Sequence, residues 1–395
     1  MAAWVSYTDT DKTPLPADSI IRPGIPGLIR RIFNMSRRLS FLVVASLALA
    51  NAVAETPSAI PPIRGLSRTN LLEYRASDGT LKTASNPAEW QTRRADALKA
   101  FQQIAGPLPG KEKRCDLDVK TDEETDCGSY VRRAITYASE PGSRTTAYLC
   151  IPKTALAGKA ASGVLCLHPT ENTIGYKVVV GLGGKPHRQY AQELTERGFV
   201  TIAPSYPLLA QYQPDLKALG YQSGTMKAIW DNIRALDILE SLPFVKKGRF
   251  AVIGHSLGGH NSIFTALFDD RIQCIVSSCG FDSVLDYYGG NIKGWVQERY
   301  MLKMGDYLGH SHDVPFDYYE LIPALAPRRV FVNAPLKDAN FNWDSVDRIA
   351  AAAQPVFALL GAEKNLTIRH PDSDHDFPDQ ERFEAYQVIE SVLGK

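Results

Sequence analysis

From residue 163 onward the apolar positions of the chain switch between two spacings. Short β-branched runs, GVLCLH (163–168), FVTIAPSY (199–206), RFAVIGHS (249–256) and IQCIVSSCG (272–280), read as buried strands. Between them YAQELTERG (190–198), MKAIWDNIRALDILES (226–241) and GHNSIFTAL (259–267) repeat their apolar residues at helical spacing. After a longer interruption the rhythm resumes: strand RRVFVNAP (328–335), helix DSVDRIAAAAQPVFALLG (344–361), strand NLTIRHP (365–371) and a last helix over 380–393. Strands alternating with helices predict an α/β fold, a mostly parallel central sheet with helices on both faces.

Upstream the pattern differs. Asn86-Pro87 supplies a capping residue followed by proline at a first helical position. The segment after it places Trp90, Ala97, Leu98, Phe101 and Ile104 on one stripe and stops at Gly106-Pro107. Residues 116–152 alternate as strands do, most clearly over 130–137 and 145–151, with Pro141-Gly142 as the turn between them. These predict antiparallel edge strands leading into the sheet. Residues 55–83 are proline-bearing and mixed, an arm laid over the surface. Between the strand ending near 280 and the one starting at 328, an insertion over 281–328 carries Tyr287, Tyr288, Trp295, Tyr300, Tyr307, Phe316, Tyr318 and Tyr319. It is too long for a connector, so it reads as an aromatic-rich cap lining a substrate entrance, or else as a small satellite core. Trp295 and Tyr300 are its candidate substrate contacts. No composition break divides residues 55–395, which we read as one catalytic domain: 55–110 the arm and first helix, 281–328 the cap.

The first residues carry an address. Arg37 and Arg38 precede an apolar run over 41–50, and Ala52-Val53-Ala54 forms a cleavage site before Glu55. The run is too short to span a bilayer, so 35–54 is expected to be a removed signal peptide. Such leaders start at the chain start, which marks Met35 as the expected initiator and 1–34 as an upstream extension or over-read. A secreted or periplasmic protein with no stable membrane anchor after processing follows.

Composition narrows the partners. The 395 residues are 44% hydrophobic and 22% charged, with a formal net charge of +1, an ordinary globular balance without the basic footprint of a nucleic-acid binder. Six cysteines are present. Cys150, Cys166 and Cys274 fall inside apolar strands, where a thiol acts as a small hydrophobe. Cys115 and Cys127 flank a polar loop, DLDVKTDEETD, and could close a hairpin; spacing and compartment make them the one candidate disulfide. No C-x-x-C pair supports a metal ribbon.

Chemistry concentrates where a parallel sheet presents the carboxyl ends of its strands. After the run 250–253 comes Gly254-His255-Ser256-Leu257-Gly258, a G-x-S-x-G elbow in which a sharp strand-to-helix turn lifts a serine clear of the sheet. Ser256 is thereby the candidate nucleophile. The backbone N–H of Leu257, at the helix tip, points toward an oxyanion formed by attack. The loop after strand 163–168 offers the second donor, Thr170, with Glu171 as its neighbour to test; His168 is read as shaping that loop. Asp338, just past strand 328–335, is the first choice for the acid that orients a histidine, ahead of Asp344 and Asp347. Of the two histidines after strand 365–371, His375 lies deeper in the loop than His370 and is chosen as the base. The order Ser256, Asp338, His375 matches the Ser…Asp…His order expected of this arrangement. Neither metal nor organic cofactor enters such a reaction.

The segments GHSLGG, LHPT, APLKDANF and DHDFP together resemble the α/β-hydrolase superfamily, on its dienelactone hydrolase and acetyl xylan esterase side. The resemblance spans about residues 90–393. It implies an α/β-hydrolase fold and a serine esterase acting on a small-molecule or carbohydrate ester, with Ser256, Asp338 and His375 as the triad and Leu257 and Thr170 as oxyanion donors. Dienelactone hydrolases use cysteine as nucleophile, and acetyl xylan esterases carry an H-G-aromatic loop where this chain has His168-Pro169-Thr170. The reading is therefore an exported carboxylic-ester hydrolase, with acylated plant polysaccharide fragments as candidate substrates. Three alternatives accompany it: a lactonase of dienelactone hydrolase type, a peptidase related to prolyl oligopeptidases but without their propeller-sized N-terminal domain, and a non-catalytic ligand-binding relative.

Overall fold

A computed structural model describes residues 66–394. The expected leader and the extension before it lie outside these residues. The βα alternation builds a nine-stranded sheet in the order β11-β10-β9-β8-β6-β7-β5-β4-β3. Its parallel part comprises β6 (Ala161–Leu167), β7 (Val200–Pro204), β8 (Val245–His255), β9 (Ile272–Ser278), β10 (Arg329–Asn333) and β11 (Leu366–Arg369). At one edge β3 (Lys120–Asp126), β4 (Tyr130–Glu140) and β5 (Ser143–Pro152) add antiparallel strands, β5 pairing with β7. A separate hairpin, β1 (Glu73–Arg75) with β2 (Leu81–Thr83), precedes the sheet.

Strand periodicity sorts the core onto two faces. Leu165, Leu167, Val252, Ile275, Val330 and Val332 pack under α1 (Pro87–Ala105), α4 (Gly224–Ser241), α5 (Leu257–Phe268) and α7 (Trp343–Leu359). Their neighbours Val164, Cys166, Ala251, Ile253, Cys274, Val276 and Phe331 face α3 (Tyr190–Glu196) and α8 (Asp379–Leu393). Two single-turn helices, α2 (Lys153–Leu156) and α6 (Tyr318–Leu321), complete the set. The Asn86 side chain accepts from Glu89 N–H at 3.1 Å, capping α1 with Pro87 in its first turn.

The disulfide expectation fails. Both Cys115 and Cys127 are free thiols. The stretch between them is not a loop closing on itself but contains β3, seven residues paired antiparallel with residues 131–136 of β4. Cys115 sits at one end, its thiol donating to Ala138 O, and Cys127 at the other, where its N–H donates to Tyr130 O. A strand of that length separates its ends by roughly 20 Å, far beyond the Cα spacing of about 6 Å that a disulfide requires.

The insertion 281–328 folds as short 3₁₀ turns and α6. Ile292, Trp295, Met301, Met304, Phe316, Tyr318 and Leu321 are buried in the larger core. Phe316 meets Phe101 of α1 edge-on, and Tyr318 stacks on Phe281. The arm is tied to this segment: Arg68 donates to Val314 O and lies beside Asp317 and Glu320.

Candidate active site

β8 runs directly into α5 through Ser256, which adopts φ 55°, ψ −118°. A non-glycine residue in that region is strained, and the surroundings hold it there. Ser256 N–H donates to Ser278 O on β9 at 2.8 Å. The flanking glycines are steric requirements: a Cβ on Gly254 would lie 2.1 Å from Gly258 O, and one on Gly258 would lie 2.0 Å from Leu167 O. Leu257 opens α5, so its N–H is among those a helix leaves without an internal acceptor.

The parallel register brings the ends of β9, β10 and β11 side by side. Asp338, past β10, and His375, past β11, meet there. His375 Nδ1 is 2.9 Å from both carboxylate oxygens of Asp338. Asp338 Oδ1 also accepts from the N–H groups of Asn340 (2.8 Å) and Phe341 (3.2 Å), and its side chain is 1% exposed. With Nδ1 committed, Nε2 is the nitrogen available to take a proton. The elbow is next to it: the ring of His255, the residue before Ser256, lies 4.8 Å from that of His375. Burial, reinforced by the positive charge of Arg188, pushes His255 well below the usual imidazole range, so it is neutral.

The other candidates separate cleanly. His370 uses both ring nitrogens, one toward Ala334 O at 2.7 Å and the other on Asp347 at 2.9 Å, leaving none to act as a base. Asp344 pairs with Arg348 on α7. His168 is fully enclosed, its Nε2 accepting from Tyr206 N–H at 3.0 Å and its Nδ1 lying 2.8 Å from Pro169 O. Burial lowers it to about 4, so it is a neutral brace for the loop that carries Thr170. Thr170 is exposed, and its Oγ1 lies 3.1 Å from the Tyr300 hydroxyl. Glu171 turns away to accept from Thr173 N–H. Tyr300 thus ties the insertion to the candidate oxyanion loop. Trp295 is 7% exposed and packs between His260 and Tyr287, so its ring serves the core.

Several residues around the site were not singled out from sequence. Arg188, buried in the loop before α3, donates to Asp376 Oδ1 and to His375 O, and His187 Nδ1 lies 2.7 Å from Asp376 Oδ2. Burial works to raise Asp376, but the hydrogen bonds from Arg188 and His187 prevail and hold it below the usual carboxylate range. This clamp fixes the loop that bears His375. Asn333 Nδ2 donates to Asp376 O (2.9 Å) and Ser278 Oγ (2.8 Å), and the Cys279 thiol donates to Asp376 O at 3.2 Å. Asp282, accepting from Asn342 N–H, is pushed up to about 8 by burial. For Cys279 a signal existed: like Asp338 and His375, it stands at the carboxyl end of a parallel strand. The Arg188–Asp376 pair joins positions too distant in the chain for any spacing to reveal.

A strained serine between a parallel strand and a helix, with an acid–histidine pair at the neighbouring strand ends, defines an α/β-hydrolase. Residues 187–391 match the prolyl oligopeptidase family (peptidase S9), which covers more than half the chain and includes Ser256, Asp338 and His375. The chain belongs to that family. It is 28% identical over 170 residues to YtaP of Bacillus subtilis (strain 168), a match spanning 42% of this chain and 53% of that one. The chain thus spans about half the length of the curated relative it matches. In fold it is similar to a glucuronoyl esterase from Solibacter usitatus, with TM-score 0.65 and 18% identity, covering 87% of this chain and 100% of that one. It is also similar to acetyl xylan esterase 1 from Thermoanaerobacterium sp. JW/SL YS485, with TM-score 0.50 and 17% identity, over 75% of this chain and 99% of the other.

Proposed function

We propose that the protein is a serine hydrolase that cleaves carboxylic esters through an acyl-enzyme. The observation that carries the reading is the contact of His375 Nδ1 with both oxygens of the buried Asp338, the His375 ring lying 4.8 Å from that of His255, the residue before the positive-φ Ser256. His375 Nε2 takes the Ser256 hydroxyl proton as Oγ attacks the ester carbonyl, and returns it to the departing alcohol. Asp338 holds the ring with its proton on Nδ1 and stabilises the imidazolium. The N–H groups of Leu257 and Thr170 receive the oxyanion, each such donor contributing about 3 kcal/mol to the transition state. Water then repeats the attack on the acyl-enzyme with His375 as base.

Esters of carbohydrates are the substrate class, by fold likeness to glucuronoyl and acetyl xylan esterases. The leader read over residues 35–54 supports export to where such polymers occur, and among the described residues no helix is long and apolar enough to cross a membrane. The family match favours one second reading, a peptidase cleaving after proline.

A single panel separates the two: short-chain aryl esters, acetylated xylan, a glucuronoyl ester and a prolyl arylamide, each with wild type and Ser256→Ala. The expected result is ester turnover abolished by the substitution and no amide turnover. Ester turnover that survives Ser256→Ala removes the nucleophile; amide turnover alone establishes the peptidase.

A further inference from the structure

The strand-end geometry that joins Asp338 to His375 brings in a third ligand-type group. Cys279 follows β9, which lies next to β10 with β11 on the far side of β10, and is held at φ 48° with 2% exposure. Its Sγ, a carboxylate oxygen of Asp338 and a ring nitrogen of His375 all lie within 4.8 Å of one another. Thiolate, carboxylate and imidazole are the donors zinc takes. With bonds of about 2.0–2.3 Å, a tetrahedral ion keeps its donors roughly 3.3–3.8 Å apart. The three side chains therefore need a contraction of about 1 Å at the sulfur and a slight widening of the 2.9 Å Asp338–His375 contact. Arg188, a cation on the neighbouring loop, is paired with Asp376. The partial exposure of His375, 23%, gives the path of entry.

We propose that Cys279, Asp338 and His375 form a site for a thiophilic divalent cation, Zn²⁺ or Cd²⁺, whose binding turns the hydrolase off. The proposal rests on His375 being the base. A metal–sulfur bond forms as the thiol proton leaves to solvent. Nδ1 gives its lone pair to the ion, and its proton is replaced by one on Nε2. The Asp338 oxygen exchanges its hydrogen bond for a bond to the metal. No electron changes hands. The imidazole is left with Nε2–H and no free pair, so it cannot accept the Ser256 proton. The ion is an inhibitor and takes no part in turnover.

The test follows aryl-ester hydrolysis during Zn²⁺ titration and, separately, the thiolate-to-metal charge-transfer absorbance during Cd²⁺ titration. Each variant is compared with its own rate in EDTA. Zinc should lower the wild-type rate at least tenfold, reversibly by EDTA, while Mg²⁺ at equal concentration should not. The cadmium band should persist in Ser256→Ala and Cys127→Ser. It should weaken at least tenfold in affinity in Cys279→Ser, and equally in His375→Gln, which alters the more exposed ligand and so guards against a misfolded cysteine variant. A band indifferent to both substitutions, or an inhibition indifferent to Cys279→Ser, overturns the site. Cadmium binding at Cys279 without loss of hydrolysis overturns the switch. Hydrolysis that survives Ser256→Ala overturns the active-site reading alone, leaving the cadmium result to judge the metal site.

Discussion

Replacing Asp338 by asparagine tests the proposed orientation of the base at nearly constant shape. In the native site Oδ1 already accepts two backbone N–H groups, from Asn340 at 2.8 Å and Phe341 at 3.2 Å. An asparagine must keep its carbonyl oxygen there, because an amide nitrogen would set donor against donor. Its NH₂ group then occupies the Oδ2 position, 2.9 Å from His375 Nδ1. Oδ1 lies equally 2.9 Å from Nδ1 but already serves the two N–H groups, so the NH₂ competes for a lone pair on Nδ1 and draws the ring proton to Nε2. A histidine in that tautomer cannot take the Ser256 proton.

In a Ser-His-Asp triad this inversion lowers kcat about 10⁴-fold, or about 5 kcal/mol of transition-state stabilisation. The same loss is expected in kcat for a short-chain aryl ester, with KM little changed and the melting temperature near that of wild type. Asp347→Asn serves as the control, since its carboxylate partners His370 and not His375. If Asp338→Asn retains more than about a tenth of wild-type kcat, or Asp347→Asn loses as much, the assignment of the acid is wrong.

Arg188→Met should reduce kcat about 10- to 100-fold with a smaller change in KM, because it frees the loop that positions His375, and Arg188→Lys should recover part of the loss. The accompanying destabilisation, read by urea unfolding, is about 1–3 kcal/mol, less than for a fully buried pair because the Asp376 side chain is 30% exposed. An unchanged kcat in Arg188→Met would show that the clamp does not position the base. Gly258→Ala places a methyl 2.0 Å from Leu167 O and should cost roughly 3 kcal/mol or more in chemical denaturation; wild-type stability would mean that the elbow is looser than described. Asp282, raised to about 8 by burial, keeps its proton when folded and releases it near pH 4 when unfolded. The native state binds the extra proton between about pH 4 and 8, so this group's contribution to stability falls as pH rises through that window. Unfolding at a series of pH values should give a shallower decline for Asp282→Asn than for wild type, and parallel curves would refute the shift.

The core of the fold was legible because it is buried on both faces. β6, β10 and the second half of β8 (250–253) are short apolar runs, α7 after β10 carries one apolar stripe, and α5 after β8 is buried along its whole length. β3 was read as part of a polar loop for the opposite reason: KTDEETD lies at the sheet edge with nearly every side chain in solvent. Its only strand signal is the partner β4, which no local pattern encodes, and misreading it created the disulfide that the fold rules out. The hairpin β1–β2 escaped similarly, since three-residue strands are too short to show a period. In the insertion the aromatic content was visible but its direction was not. Trp295 and Phe316 turn inward to the core, whereas Tyr300 reaches the Thr170 loop.

The strand-end rule reached further than its first use. Applied only to residues with an expected role, it selected Asp338 and His375 and passed over Cys279, although all three follow adjacent parallel strands and converge for the same topological reason. A parallel sheet holds whatever its loops present at one edge, without regard to whether the residue serves the reaction. Choosing between histidines needed more than position. His370 and His375 lie five residues apart after β11, and each has a carboxylate partner. They differ in the second nitrogen, which Ala334 O occupies in His370 and which His375 keeps for a proton. A site of this kind is defined by the valence left open after the scaffold has made its hydrogen bonds, and that remainder appears only when every partner is in place.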